Sequence, residues 1–179
     1  MAVKGKALYT VLERIQGRVV KTLRSVCVGL VTVMMLLTAL EVVSRGIFNF
    51  SLQVSDEISA YLLVGITFLA VTVALDENAL FRVEFFFDRL PPHARPFFRL
   101  AFDALSLLVA GVLEYELVLL VITSIVRENK SLSILSTPLY IPQLVMPIGM
   151  AALMFMFAVS IVKDVVDIEA AVSNPPDAE

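Results

Sequence analysis

The chain has 179 residues, 59% of them hydrophobic, and a mean hydropathy of +0.88. Soluble domains are about 45–50% apolar, and here the excess is gathered into long blocks, so the composition points to an integral membrane protein. A formal net charge of −3 gives no ground for a nucleic-acid partner, and the single cysteine, Cys27, rules out an internal disulfide and a thiolate cluster.

At the N-terminus Leu8, Val11, Leu12, Ile15, Val19 and Leu23 recur at helical spacing, with Arg14, Arg18 and Lys21 on other faces. This pattern predicts a basic amphipathic helix over residues 1–25, suited to the lipids of the inner leaflet. A first span follows at about 26–48. No small-residue cleavage site closes it, and Glu41 and Arg45 stand where one would be, so it is expected to be a retained anchor. Asp56 and Glu57 open a second, short span at about 58–75. A bilayer needs about 20 apolar residues.

The stretch "FRVEFFFDRL" places Val83, Phe86, Phe87 and Leu90 on one helical face and Arg82, Glu84, Asp88 and Arg89 elsewhere, before Pro91 and Pro92 end it. It predicts a second interfacial helix, between spans two and three. The third span, about 100–126, is long enough to tilt. After it, "LSTPLYIPQLVMPIG" carries Pro138, Pro142 and Pro147. These predict extended chain near Pro138, a helix start at Pro142 and a kink at Pro147. The fourth span is expected at about 140–162, and residues 166–179 as a flexible cytoplasmic tail. The fold class is therefore all-α integral membrane, with a four-span domain over 26–165.

Lysine and arginine set the orientation. Of the 14 such residues, only Arg45, at the far end of the first span, and Arg127 and Lys130, in the third connection, lie on one side; the rest lie before the first span, between the second and third, or after the fourth. Both termini are expected in the cytoplasm.

Glu114 and Glu116 stand near the middle of the third span, whose ends are marked by Arg99 and Arg127. Residues two apart on a helix leave it about 200° apart. Glu114 shares a stripe with Asp103, Ser106 and Ala110, a face that reads as packed on protein. Glu116 shares the opposite stripe with Leu113, Leu120 and Thr123. The expectation is that one acid turns into the helix bundle and the other meets a second subunit.

Chemistry is otherwise sparse. The one histidine, His93, follows two prolines in a connection and cannot furnish a haem pair within the spans. No metalloprotease, nucleophile-elbow or phosphate-loop motif is present. Enzyme activity and cofactors are not expected.

The run "VVSRGIFNFSLQVSDEISAYLLVGITFLAVTVAL", followed by "LFRVEFFFDRLPPHAR", resembles the small membrane subunit (Q subunit, DctQ-like) of tripartite ATP-independent periplasmic (TRAP) transporters. The matching features are Arg45 ending the first span, Asp56 and Glu57 opening the second, then Arg82–Val83–Glu84 and Arg89–Leu90–Pro91 in the interfacial helix. "STPLYIP" is similar to the family's approach to its fourth helix. Val54 and Leu80 stand where the family often has tryptophan and histidine.

The resemblance implies a non-catalytic partner of a large membrane subunit, which holds the substrate and sodium sites. It also implies a periplasmic substrate-binding protein that docks on the outer face. On that reading the small subunit braces the large one in the inner membrane of a bacterium or archaeon during sodium-driven organic-acid uptake. Arg45, Asp56 and Glu57 would pair at the outer face or help dock the binding protein. Two other readings of the residues stand beside it: a free-standing four-helix proton-coupled exporter, and the anchor subunit of a membrane redox enzyme.

Overall fold

A computed structural model describes residues 2–50, 54–77, 95–131, 133 and 136–173. The described residues form α1 (Ala2–Phe48), α2 (Val54–Asp76), α3 (Arg95–Val126), the short α4 (Tyr140–Gln143) and α5 (Val145–Ser173). Four helical segments are long and apolar enough to cross a membrane: Val11–Phe48, Val54–Asp76, Phe97–Val126 and Tyr140–Val166.

The amphipathic N-terminal segment and the first span are not separate elements. They are one helix of 47 residues, about 70 Å long at 1.5 Å per residue. Nothing between Arg24 and Val28 can break it: no proline stands there, and the polarity changes without any change in backbone chemistry. α1 packs through one stripe, in which Leu23, Cys27, Leu30, Met34, Leu37 and Glu41 are all at least partly covered. It ends at Asn49, which takes φ 48°, a left-handed conformation that asparagine tolerates better than most residues.

α3 closes on a recognisable stop. Glu128 adopts φ 48°, its N–H donates to the Ile125 carbonyl (3.2 Å), and the Asn129 N–H donates to the Ser124 carbonyl (3.0 Å). This pair of bonds satisfies carbonyls that would otherwise be orphaned at the helix end. The chain then folds back on itself. Lys130 pairs antiparallel with Pro138, with N–H to carbonyl bonds from Ser131 to Thr137 (2.9 Å) and from Leu139 to Asn129 (3.0 Å).

Pro142 does not open the fourth helical segment; Tyr140 does. The break comes at Leu144, before Pro147, because proline has no N–H to offer the carbonyl four residues back.

The helices form a row in the order α1–α2–α5–α3, with α2 and α5 central and α1 and α3 outermost. Consecutive spans run in opposite directions, so the N-terminal part of α1 lies beside the C-terminal ends of α2 and α5. The α2–α5 crossing is close. A Cβ placed on Gly149 would lie 2.8 Å from the Phe68 carbonyl oxygen, and the buried Thr72 hydroxyl donates to the Gly149 carbonyl at 3.3 Å. Small residues let membrane helices approach in this way. Leu69, Ala110, Val121, Met156 and Val159 supply buried apolar packing along the row.

Candidate functional site

Three polar groups interrupt this apolar scaffold: one at each end of the helices' length and one midway along α3.

At the first end Arg45, in the last turn of α1, donates through Nε to Glu41 one turn earlier. Its Nη2 lies 3.8 Å from Asp56 Oδ2 in the first turn of α2. Glu41 is buried, and a buried carboxylate is costly unless paired. Its arginine four residues away is the pairing that helix geometry favours. Glu57, next to Asp56, takes a different set of partners. Its carboxylate accepts from the Tyr61 hydroxyl and from the Ser133 hydroxyl, so it ties the start of α2 to the 129–138 turn. The structure thus brings Arg45 and Asp56 together across the first connection and sends Glu57 elsewhere.

Midway along α3, the packed face carries Asp103, Ala110, Val121 and Ser124, all buried, and α5 is its main neighbour. Glu114 belongs to this face: its Oε2 is buried and has no hydrogen-bond partner among the described residues. Glu116 belongs to the opposite face, exposed together with Leu113, Leu120 and Thr123. It lies only three residues from the midpoint of Arg99 and Arg127, about 5 Å along the axis. A carboxylate at that depth costs about 2.5–3.5 kcal/mol on insertion scales.

The second end is a network across three helices. The Gln16 amide nitrogen donates to Asp76 at 2.8 Å, and its oxygen accepts from Lys163 Nζ at 2.9 Å. Lys163 also lies 3.9 Å from Glu13, and Arg24 forms an ion pair with Glu77. Asp103 and Asp164 are buried toward this end of α3 and α5. The sequence pattern did not point to Gln16, and it marked Glu41 only as standing where a cleavage site would be. The available signal was a polar side chain on the otherwise apolar packed stripe of α1.

Arg82, Val83, Phe86, Phe87, Arg89 and Leu90, expected to form the interfacial helix, lie outside the described residues. Among the described residues no group of three or more histidine, cysteine, aspartate or glutamate side chains is arranged to hold a metal ion.

The sequence matches the family model of the tripartite ATP-independent periplasmic transporters, DctQ component, over residues 34–167. It is 31% identical over 88 residues to a Haemophilus influenzae protein that bears the name of a TRAP transporter small permease protein. That match covers 49% of this chain and 55% of the relative, so the chain spans about half the length of the curated relative it matches. No solved structure matches the chain. The matched region contains the close α2–α5 crossing, Glu114 and Glu116 of α3 and the Arg45–Asp56 contact, and on that match the chain belongs to the family of DctQ components, the small permease subunits of TRAP transporters.

Proposed function

We propose that this chain is the non-catalytic brace of a TRAP transporter. It would hold the large membrane subunit in place and widen the surface on which a periplasmic binding protein docks during sodium-driven organic-acid uptake. The observation that supports this most directly is the family match over residues 34–167. The row of helices agrees with it. Its polar side chains are mostly engaged with one another at the two ends, and its outermost helices present large apolar faces, including Met35 and Ile47 on α1 and Leu108 and Val112 on α3. Such faces need lipid or another apolar chain against them.

On this reading the Lys163 end faces the cytoplasm of a bacterial or archaeal inner membrane, because lysine and arginine concentrate on the cytoplasmic side. The Arg45 end then faces the periplasm. Arg45 and Asp56 are exposed there and offer both signs of charge to a docking protein. The length of α1, about 70 Å against a hydrocarbon core of about 30 Å, carries its basic N-terminal part past the membrane core. Together with the amphipathic 81–90 segment, that part resists tilting, as a stationary element requires.

The test is reconstitution of the purified chain in proteoliposomes, with and without the large subunit and binding protein, under a sodium or proton gradient. The expected result is no organic-acid uptake by this chain alone, uptake by the full complex, and loss of uptake when this chain is left out. Gradient-driven uptake without partners would overturn the proposal.

A further inference from the structure

We infer that the face of α3 bearing Leu113, Glu116 and Leu120 is the seam on which the large subunit packs, and that a transmembrane helix of that subunit supplies a hydrogen-bond donor to Glu116. The inference rests on the brace reading and adds to it which of two exposed outer helices is the contact and what chemistry the partner brings.

α1 and α3 both end the row, and both expose apolar side chains. Exposure alone does not distinguish an interface from a lipid-facing surface. Glu116 does. The α1 residues left exposed over its membrane-crossing part, from Val26 to Val43, include no charged side chain, and its exposed hydroxyls at Thr32 and Thr38 are spent on carbonyls of their own helix. That surface needs nothing from a neighbour but apolar contact. On α3 a carboxylate stands exposed near mid-membrane, between leucines one turn to either side. Glu114 does not share the role, since its side chain turns to the face packed on α5.

Hydrocarbon has no donor for a carboxyl group, so a group at this depth is normally turned to protein or to a water-filled cavity. Its counterpart must be a donor: a hydroxyl, an amide or a cation. A second copy of this chain is the poorer occupant. A two-fold interface centred on this face brings the same patch against itself, setting one Glu116 opposite another, and two carboxylates have no donor to share. A different chain carrying a donor is the complementary one, and in a tripartite transporter the large subunit is the membrane partner available.

The experiment uses the intact complex. A photo-crosslinking amino acid replaces Leu113 or Leu120 on α3, or Val28 or Met35 on the exposed face of α1, with Glu116 left in place. In parallel, Glu116→Leu and Glu116→Gln are compared by the amount of large subunit recovered with the tagged chain. Crosslinks to the large subunit from positions 113 and 120 are expected, and none from 28 or 35. Recovery should fall about three- to fifteen-fold with leucine, as for loss of one interhelical hydrogen bond, and hold with glutamine.

Crosslinks to the large subunit from α1 alone, with full recovery in Glu116→Leu, would overturn the inference and leave the brace reading standing. Crosslinks from α3 to a second copy of this chain would overturn it as well. Failure to recover any large subunit with the unaltered chain would instead defeat the brace reading, and this inference with it.

Discussion

Gly149→Ala tests whether the α2–α5 crossing is as tight as the geometry makes it. The added methyl group would lie 2.8 Å from the Phe68 carbonyl oxygen and 2.9 Å from both its carbonyl carbon and its Cβ. Two of those three atoms are backbone, so rotamer change in Phe68 gives no relief. Non-bonded carbons sit comfortably at about 3.5–4.0 Å, so α2 and α5 must part by about 0.5–1 Å. The separation also stretches the 3.3 Å bond from Thr72 to the Gly149 carbonyl, leaving a fully buried hydroxyl to find another acceptor.

Overpacking of this kind costs about 1–3 kcal/mol, offset in part by the better helix propensity of alanine, about 1 kcal/mol. The net loss is about 0–2 kcal/mol, which lowers the melting temperature of a chain this size by up to about 8 °C. The assay is the fraction of detergent-solubilised protein that still elutes as a folded species after heating. Gly46→Ala is the control, because nothing lies within 4 Å of a Cβ there; it should melt at or slightly above the unaltered chain. If Gly149→Ala behaves like Gly46→Ala, the close crossing is refuted. Thr72→Val should reproduce only the hydrogen-bond part of the loss.

Gln16→Leu removes the two hydrogen bonds from Gln16 to Asp76 and Lys163 and leaves the 3.9 Å Glu13–Lys163 contact in place. Backbone hydrogen exchange over the last turns of α5 should rise, and unchanged exchange there would show that the network contributes no local order. Glu57→Ala takes away the acceptor shared by Tyr61 and Ser133, so exchange across residues 129–138 should increase while the lower half of α2 is unaffected; Glu57→Gln should lie between. For orientation, Ser136→Cys in a Cys27→Ser background should react with an impermeant thiol reagent from the periplasmic side, and reaction only after the cytoplasmic face is opened would invert the topology. Glu114→Gln keeps shape and hydrogen-bonding capacity but removes titration; the complex should assemble and transport nearly normally, and an assembled but inactive variant would favour a proton relay.

The apolar blocks made the four membrane-crossing helices legible, since lipid imposes its length on any segment that spans it. The divergence of Glu114 and Glu116 was readable for a similarly simple reason: two residues of helix are a little over half a turn. Other features depend on what hydropathy does not encode. Polarity changes at about residue 25, but Arg24, Ser25 and Val26 carry no breaker, and a helix continues until its backbone is stopped. Proline chemistry foretold an interruption near Pro147, and the break falls three residues earlier because the missing bond belongs to the preceding turn. The partner of Glu57 was illegible from local pattern: Ser133 is 76 residues away and comes within reach only when the turn after α3 folds back toward α2. The order of the row was also beyond the pattern, because each span is apolar on most sides.

That apolarity also determines what can hold the row together. In lipid, one leucine face against another gains little over the same face against acyl chains, so association relies on close fit and on polar contacts. The structure concentrates both where the row needs them. Gly149 seats α5 on α2 at the centre of the row. Gln16 fastens α1 to α2 and α5 at one end, and at the other Arg45 reaches from α1 to Asp56 of α2. α3 is held differently. Its ties are the packing of Asp103, Ala110, Val121 and Ser124 toward α5 and the turn that Ser133 fastens to Glu57. α3 also presents a carboxylate on its exposed face. Contact with the large subunit along α3 would therefore hold this outer helix from its free side and satisfy its exposed acid in one interface. On this argument Glu116→Leu should loosen α3 within the complex as well as weaken assembly, so hydrogen exchange along α3 should rise in whatever complex still forms.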